Sequence, residues 1–253
     1  MRVAGKMMNM NNKGFTIAEI LIAASVGLIV LGAIYAAMNM GQRSSVAVER
    51  KVVAQQDARA ALDIMAAEIR MASCNPAFAT NMWVDGPTGA CGNTSANQMY
   101  KGIQEATANS ITVEMDIHGD PVDGSPDGDV NDPNEIIRYE YLGDANNERV
   151  TRQTSCGGGA QAFLGDQAGN TREVRVVNQG AGVSLFKYFD RDDNPILPAN
   201  LSPPGGDGTM IPDIRRIEIT LVVDTEEMDP NLGKRRRTFC STSVIPRNNA
   251  INW

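Results

Sequence analysis

The hydrophobic pattern of the chain changes period twice, and each change marks a different kind of element. From Phe15 to Met40 almost every position is apolar, and the one charged residue is Glu19. A segment apolar on all sides is expected to be a helix surrounded by lipid or by other helices. Its 26 residues would extend about 39 Å, enough to cross a bilayer. From Gln42 to Met71 the pattern narrows to one stripe, with Val48, Val52, Leu62, Met65, Ile69 and Ala72 at three- and four-residue spacings. Arg50, Lys51, Gln56, Asp57, Arg59, Asp63 and Arg70 fall opposite. That predicts a continuation of the same helix with its stripe against a folded head. No proline interrupts residues 15–75, and Asn75-Pro76 supplies the stop.

Residues 75–108 are rich in Gly, Asn, Thr and Ala and read as a structured loop anchored by Trp83 and Tyr100. Then the period becomes two. Ile111, Val113, Met115 and Ile117 alternate with Thr112, Glu114 and Asp116, the signature of a half-buried strand. Residues 137–141 and 148–152 flank Gly143-Asp144-Ala145-Asn146-Asn147 and predict a hairpin. Further strands are expected at 174–177, 183–189, 214–223 and 237–245. One long helix followed by antiparallel strands is an α+β architecture, a sheet covering the stripe of the helix. The expected divisions are 1–14 as a leader, 15–41 as a transmembrane and assembly helix, 42–74 as the amphipathic helix of the head, and 75–253 as a β-rich head.

Charge orients this layout. The chain of 253 residues carries a net charge of −7, and removal of Arg2, Lys6 and Lys13 with the leader would leave −10. Binding to nucleic acid or to an anionic surface is not favoured by such a balance. The basic leader should stay in the cytoplasm while the head is exported. A secretory signal peptide fits less well, because the apolar run is too long and no small-residue cleavage site follows it.

A carboxylate inside a bilayer costs roughly 2.5–3.5 kcal/mol on insertion scales, so Glu19 calls for a partner. If the chain is cut between Gly14 and Phe15, the new Phe15 ammonium can neutralise Glu19 of a neighbouring copy and set the register between subunits. The run Lys13-Gly14-Phe15-Thr16-Ile17-Ala18-Glu19 resembles the class III signal of type IV pilins and type II secretion pseudopilins. The resemblance implies cleavage after Gly14 by a prepilin peptidase, methylation of the Phe15 amine, and assembly with other pilin subunits by the pilus machinery at the inner membrane. Residues 61–72, Ile214 to Leu221, and Pro246-Arg247-Asn248 further resemble PilW-type minor pilins and J-type minor pseudopilins, so the expected fold is pilin-like. The expected function is that of a minor pilin contributing to pilus assembly. The alternatives are a minor pseudopilin of a type II secretion system and a membrane-anchored calcium-binding adhesin that does not polymerise.

Candidate chemistry in the head is sparse. The acidic loop 119–135 places oxygen-bearing side chains at alternate positions. Counted from Asp123, the candidate calcium ligands are Asp123, Ser125, Asp127, Asp129, Asn131 and Asn134. A loop merely kept soluble by its acids has the same composition. Lys234-Arg235-Arg236-Arg237 stands beside Glu226, Glu227 and Asp229, which favours a charge-balanced hairpin end over a phosphate-gripping patch. His118 is the sole histidine. With no G-x-S-x-G turn, no nucleotide-binding glycine motif and no paired metal-ligand cysteines, an enzyme is not expected. Cys74, Cys91, Cys156 and Cys240 all follow the apolar run, and an oxidising compartment would favour disulfides. Of three possible connectivities, the favoured one joins Cys74 to Cys91 and Cys156 to Cys240.

Overall fold

The computed structural model describes residues 14–84, 94–119, 124–143, 148–154, 159–165, 174–203, 205–230 and 232–249. The chain separates into two units, one up to Ala47 and one from Val48 onward. A single helix, α1 (Ile17–Arg70), supplies the regular structure of the first unit and the opening element of the second. In the first unit the helix is apolar all round, and its large side chains from Ile17 to Met40 are exposed.

In the second unit α1 faces strands. β1 (Ile103–Ala106), β2 (Ser110–Glu114), β3 (Ile136–Leu142), β4 (Arg149–Gln153) and β5 (Gln161–Gly165) form an antiparallel meander in chain order. A second sheet contains β6 (Val174–Val176), β7 (Phe186–Phe189), β8 (Arg216–Thr225) and β9 (Arg237–Val244). The ten-residue β8 organises it. Phe186 to Phe189 pair with its first half and Val174 to Val176 with its last residues, while β9 runs along nearly its whole length. The expected α+β class is what the fold shows, with two sheets in the head.

One core joins these layers. Ala54, Ala58, Ala61, Leu62, Met65, Ile69 and Ala72 pack with Ile111, Val113, Tyr139 and Val150 of the first sheet and with Phe186, Ile217, Ile219, Leu221 and Val223 of the second. The buried stripe therefore differs at its start from the one expected: Val48 and Val52 are exposed, and alanines take over. Small side chains let backbone approach backbone, whereas Val48 and Val52 fall off the helix face that buries Ala54, Ala58 and Ala61. A carboxylate strengthens the joint. Glu68 accepts hydrogen bonds from the Tyr139 hydroxyl and from Arg152, whose Nε lies 3.1 Å away.

The helix end is stitched to the sheet. After Arg70, Ser73 adopts the left-handed conformation (φ 63°), its N–H donates to the Glu114 carbonyl at 2.9 Å, and Asp116 N–H donates to the Cys74 carbonyl at 2.9 Å. Trp83 is buried as expected, in a smaller core with Met82, Val84, Val130 and Ile136. Two strands were not expected. β1 lies within the supposed loop; it pairs with β2, and its Glu105 side chain is held by Arg138 of β3 at 2.7 Å. β5 reads Gln161-Ala162-Phe163-Leu164-Gly165, which does not alternate apolar with polar residues, and it pairs with β4 with a register shift.

Candidate functional site

Gly14, Phe15 and Thr16 precede the first turn of α1, and Phe15 is exposed. Thr16 is the residue before the helix and Glu19 the third within it. Glu19 N–H donates to Thr16 Oγ1 at 3.3 Å, while Glu19 Oε2 accepts from Thr16 N and Thr16 Oγ1, both at 2.9 Å. This reciprocal arrangement satisfies donors that the first helical turn leaves unpaired, and it places a negative group at the positive end of the helix dipole. The T-x-x-E spacing was readable in the sequence, yet the part of Thr16 emerges only with the geometry. Within one chain, Glu19 is thus held by neutral donors of its own helix. No charged residue occurs between it and Arg43. α1 is long and apolar enough in this part to cross a membrane.

The acidic loop rearranges the expected ligand set. Asp127 and Asp129 converge with Asp132, a residue outside the counted pattern, their ligand oxygens all within 4.8 Å of one another. Ser125, Asn131 and Asn134 are exposed, and Asp123 lies outside the described residues. Two further acids lie beside this loop: Asp116, which strand periodicity assigned to an alternating position, and Glu135, the last residue of the loop, which was not among the counted ligands. Asp116 is completely buried; its Oδ2 accepts from Gly128 N–H at 3.0 Å, and its Oδ1 has no hydrogen-bond partner. Burial pushes the Asp116 carboxyl up, the Gly128 N–H opposes this, and the charges of Glu135 and Asp127 add to it. Glu135 is also completely buried. Its Oε1 accepts from Ile117 N at 2.8 Å and His118 N at 3.1 Å, with His118 Nδ1 at 3.3 Å, and its Oε2 accepts from Asp132 N at 3.2 Å.

The other candidates are absorbed structurally. Arg236 pairs with Asp229 at 2.5 Å, Arg237 with Asp224 at 2.9 Å, and Arg235 Nε donates to the Glu226 carbonyl. The basic run is balanced by its neighbours. Cys74 and Cys240 carry free thiols, raised by burial from the ordinary thiol range. Neither expected bridge is formed at these two sulfurs: Cys74 sits in the turn after α1, and Cys240 points from β9 into the core beside Leu62. Their expected partners Cys91 and Cys156 lie outside the described residues.

Together these features define a chain with an apolar helical N-terminus and a separately folded helix-and-sheet head. Residues 9–35 match the family model described as the prokaryotic N-terminal methylation motif. The match covers the residues around Gly14, Phe15 and Glu19 and does not extend to the head. No curated protein matches the chain. A solved structure, a type IV-like pilin from Thermus thermophilus, is similar over 78% of this chain and 98% of its own, with 11% sequence identity and a TM-score of 0.39.

Proposed function

We propose that the chain is a minor pilin-like subunit of a type IV pilus, cleaved after Gly14, methylated on the Phe15 amine, and assembled through its N-terminal helix. The observation that carries this reading is the methylation motif over residues 9–35 on a helix whose large apolar side chains are exposed from Ile17 to Met40. In this reading a prepilin peptidase and methyltransferase process the chain at the inner membrane, the basic leader stays in the cytoplasm, and the head is exported. The head serves as a structural surface and carries out no catalysis.

The physical logic of assembly follows from the anchor. Lipid tails are as apolar as leucine, so moving an apolar helix from lipid into a bundle of its copies gains little from hydrophobicity itself. Charge and packing then decide the outcome. In the single chain, Glu19 accepts hydrogen bonds from Thr16. A neighbour's Phe15 ammonium offers a charged donor in place of neutral ones, which is the stronger pairing. It also neutralises an acid that lipid disfavours.

Mass spectrometry of the mature chain should find an N-terminus at methylated Phe15. Sheared filaments should lose this subunit in Glu19→Val and retain it in Thr16→Val, which removes the hydroxyl of the cap but keeps the carboxylate. Processing should continue in both. A mature chain beginning elsewhere, or equal incorporation of wild type and Glu19→Val, defeats the proposal.

A further inference from the structure

We infer that the loop around Asp127 is a binding site for a single hard divalent cation such as calcium, held by the carboxylates of Asp127, Asp129 and Asp132, with the buried Asp116 bound to the backbone of the same loop. This does not depend on the assembly reading, since all of its residues belong to the head.

The first observation is the convergence itself. Asp127, Asp129 and Asp132 bring ligand oxygens within 4.8 Å of one another. Among the described residues no Lys or Arg forms an ion pair with any of them. Calcium takes oxygens at about 2.3–2.6 Å, so ligands on opposite sides of one ion stand about 4.6–5.2 Å apart, and three oxygens at the observed separations fit around one centre. The all-oxygen set selects a hard ion over a soft one.

Acids can gather at a surface for no reason but solubility. The second observation comes from beneath the surface. Asp116 is fully buried and one of its oxygens has no partner. Its other oxygen is tied to Gly128, between two of the three converging acids. A buried, half-satisfied carboxylate held against a carboxylate cluster is costly unless a positive charge sits among them. A bound cation supplies that charge.

The surrounding chain holds the cluster in place. Gly119 has a φ of 138°, and a Cβ there would run into the carboxylates of Asp127 and Asp132, so glycine is what lets the two acids approach. Val130 and Ile136 root the loop in the smaller core with Trp83. Glu135 acts as a positioning residue. Its Oε1 is occupied by backbone N–H groups of Ile117 and His118, and its Oε2 fixes the Asp132 backbone. This separates the site from the alternative grouping of His118, Asp132 and Glu135, in which Glu135 has no oxygen free of hydrogen bonds.

The test is calorimetric titration of calcium chloride into the full chain, purified in detergent and stripped with EDTA, with thermal unfolding measured in parallel. One calcium should bind per chain, with a dissociation constant in or below the range of about 10⁻⁴–10⁻³ M typical of extracellular modules. Calcium should raise the unfolding midpoint. Asp129→Asn and Asp132→Asn should each weaken binding at least tenfold, and Asp116→Asn should weaken it while the chain still folds. Absence of calcium binding by the wild-type chain overturns the inference without reference to any variant. So does unchanged binding in the double variant Asp127→Asn with Asp132→Asn. If Asp116→Asn stabilises the chain equally with and without calcium, the orphan oxygen holds a proton, and the inference fails.

Discussion

The joint between helix and first sheet is open to a quantitative test at Glu68. The Tyr139 side chain is completely buried, and its hydroxyl donates to Glu68, which also receives the Arg152 guanidinium. Glu68→Ala leaves the tyrosine hydroxyl buried with no acceptor, a loss of about 1–3 kcal/mol. The Arg152 side chain retains 25% of its exposure and can turn to water, so its share is only about 0.5–1 kcal/mol. Alanine returns a few tenths of a kcal/mol, roughly, through helix propensity. The net expectation is about 1–4 kcal/mol, or a fall in unfolding midpoint of about 2–16 °C for a head of this size. Glu68→Gln keeps an acceptor for Tyr139 and should lose about 1 kcal/mol. Circular dichroism melts of the full chain in detergent measure each variant. Tyr139→Phe combined with Glu68→Ala should cost less than the sum of the two, because the orphaned hydroxyl is then absent. Strict additivity, or a Glu68→Ala loss no larger than that of an ordinary surface substitution, refutes the reasoning.

Two further outcomes follow from the same core and its acids. Burial alone would raise the Glu105 carboxyl, but hydrogen bonds from Arg138, Ser110 and Thr112 outweigh it and hold it below its usual value of 4.5. A depressed carboxylate contributes stability that is present above the unfolded value and disappears as pH falls through the folded one; the advantage of wild type over Arg138→Met should therefore shrink below about pH 4.5, and a difference that stays constant under acid titration argues against it. In the helix stripe, Met65→Ala should cost about 2–5 kcal/mol because Met65 is fully buried, whereas Val52→Ala, at a 44% exposed position, should stay within about 0.5 kcal/mol; comparable losses in a denaturant titration would restore the sequence-derived stripe.

Much of the architecture was legible in local pattern. The apolar run, the single helix through to its end near Arg70, and the strands at β2, β3, β4, β8 and β9 all carry a period that a short window can register. The motif at Gly14, Phe15 and Glu19 was readable for the same reason, since its meaning lies in adjacent residues and in the apolar sequence that follows. The loop was partly legible. Its alternating acids announced oxygen ligands, but counting in steps of two from Asp123 passed over Asp132 and could not reach Asp116, which belongs to the strand side of the turn. A turn's positive-φ residues, such as Gly119 and Asn134, re-aim neighbouring side chains in ways that spacing does not encode.

Residue order alone determined that an uncharged helix with one acid near its start must find an apolar surround and a partner for that acid, because hydration cost and helical geometry are local properties. Tertiary structure decided which side of the second half of α1 is covered, that two sheets share the head, and that Asp116 is buried against the backbone of the acidic loop. Those outcomes depend on which distant backbones come close enough to exclude water, and burial of that kind is a property of the assembled layers.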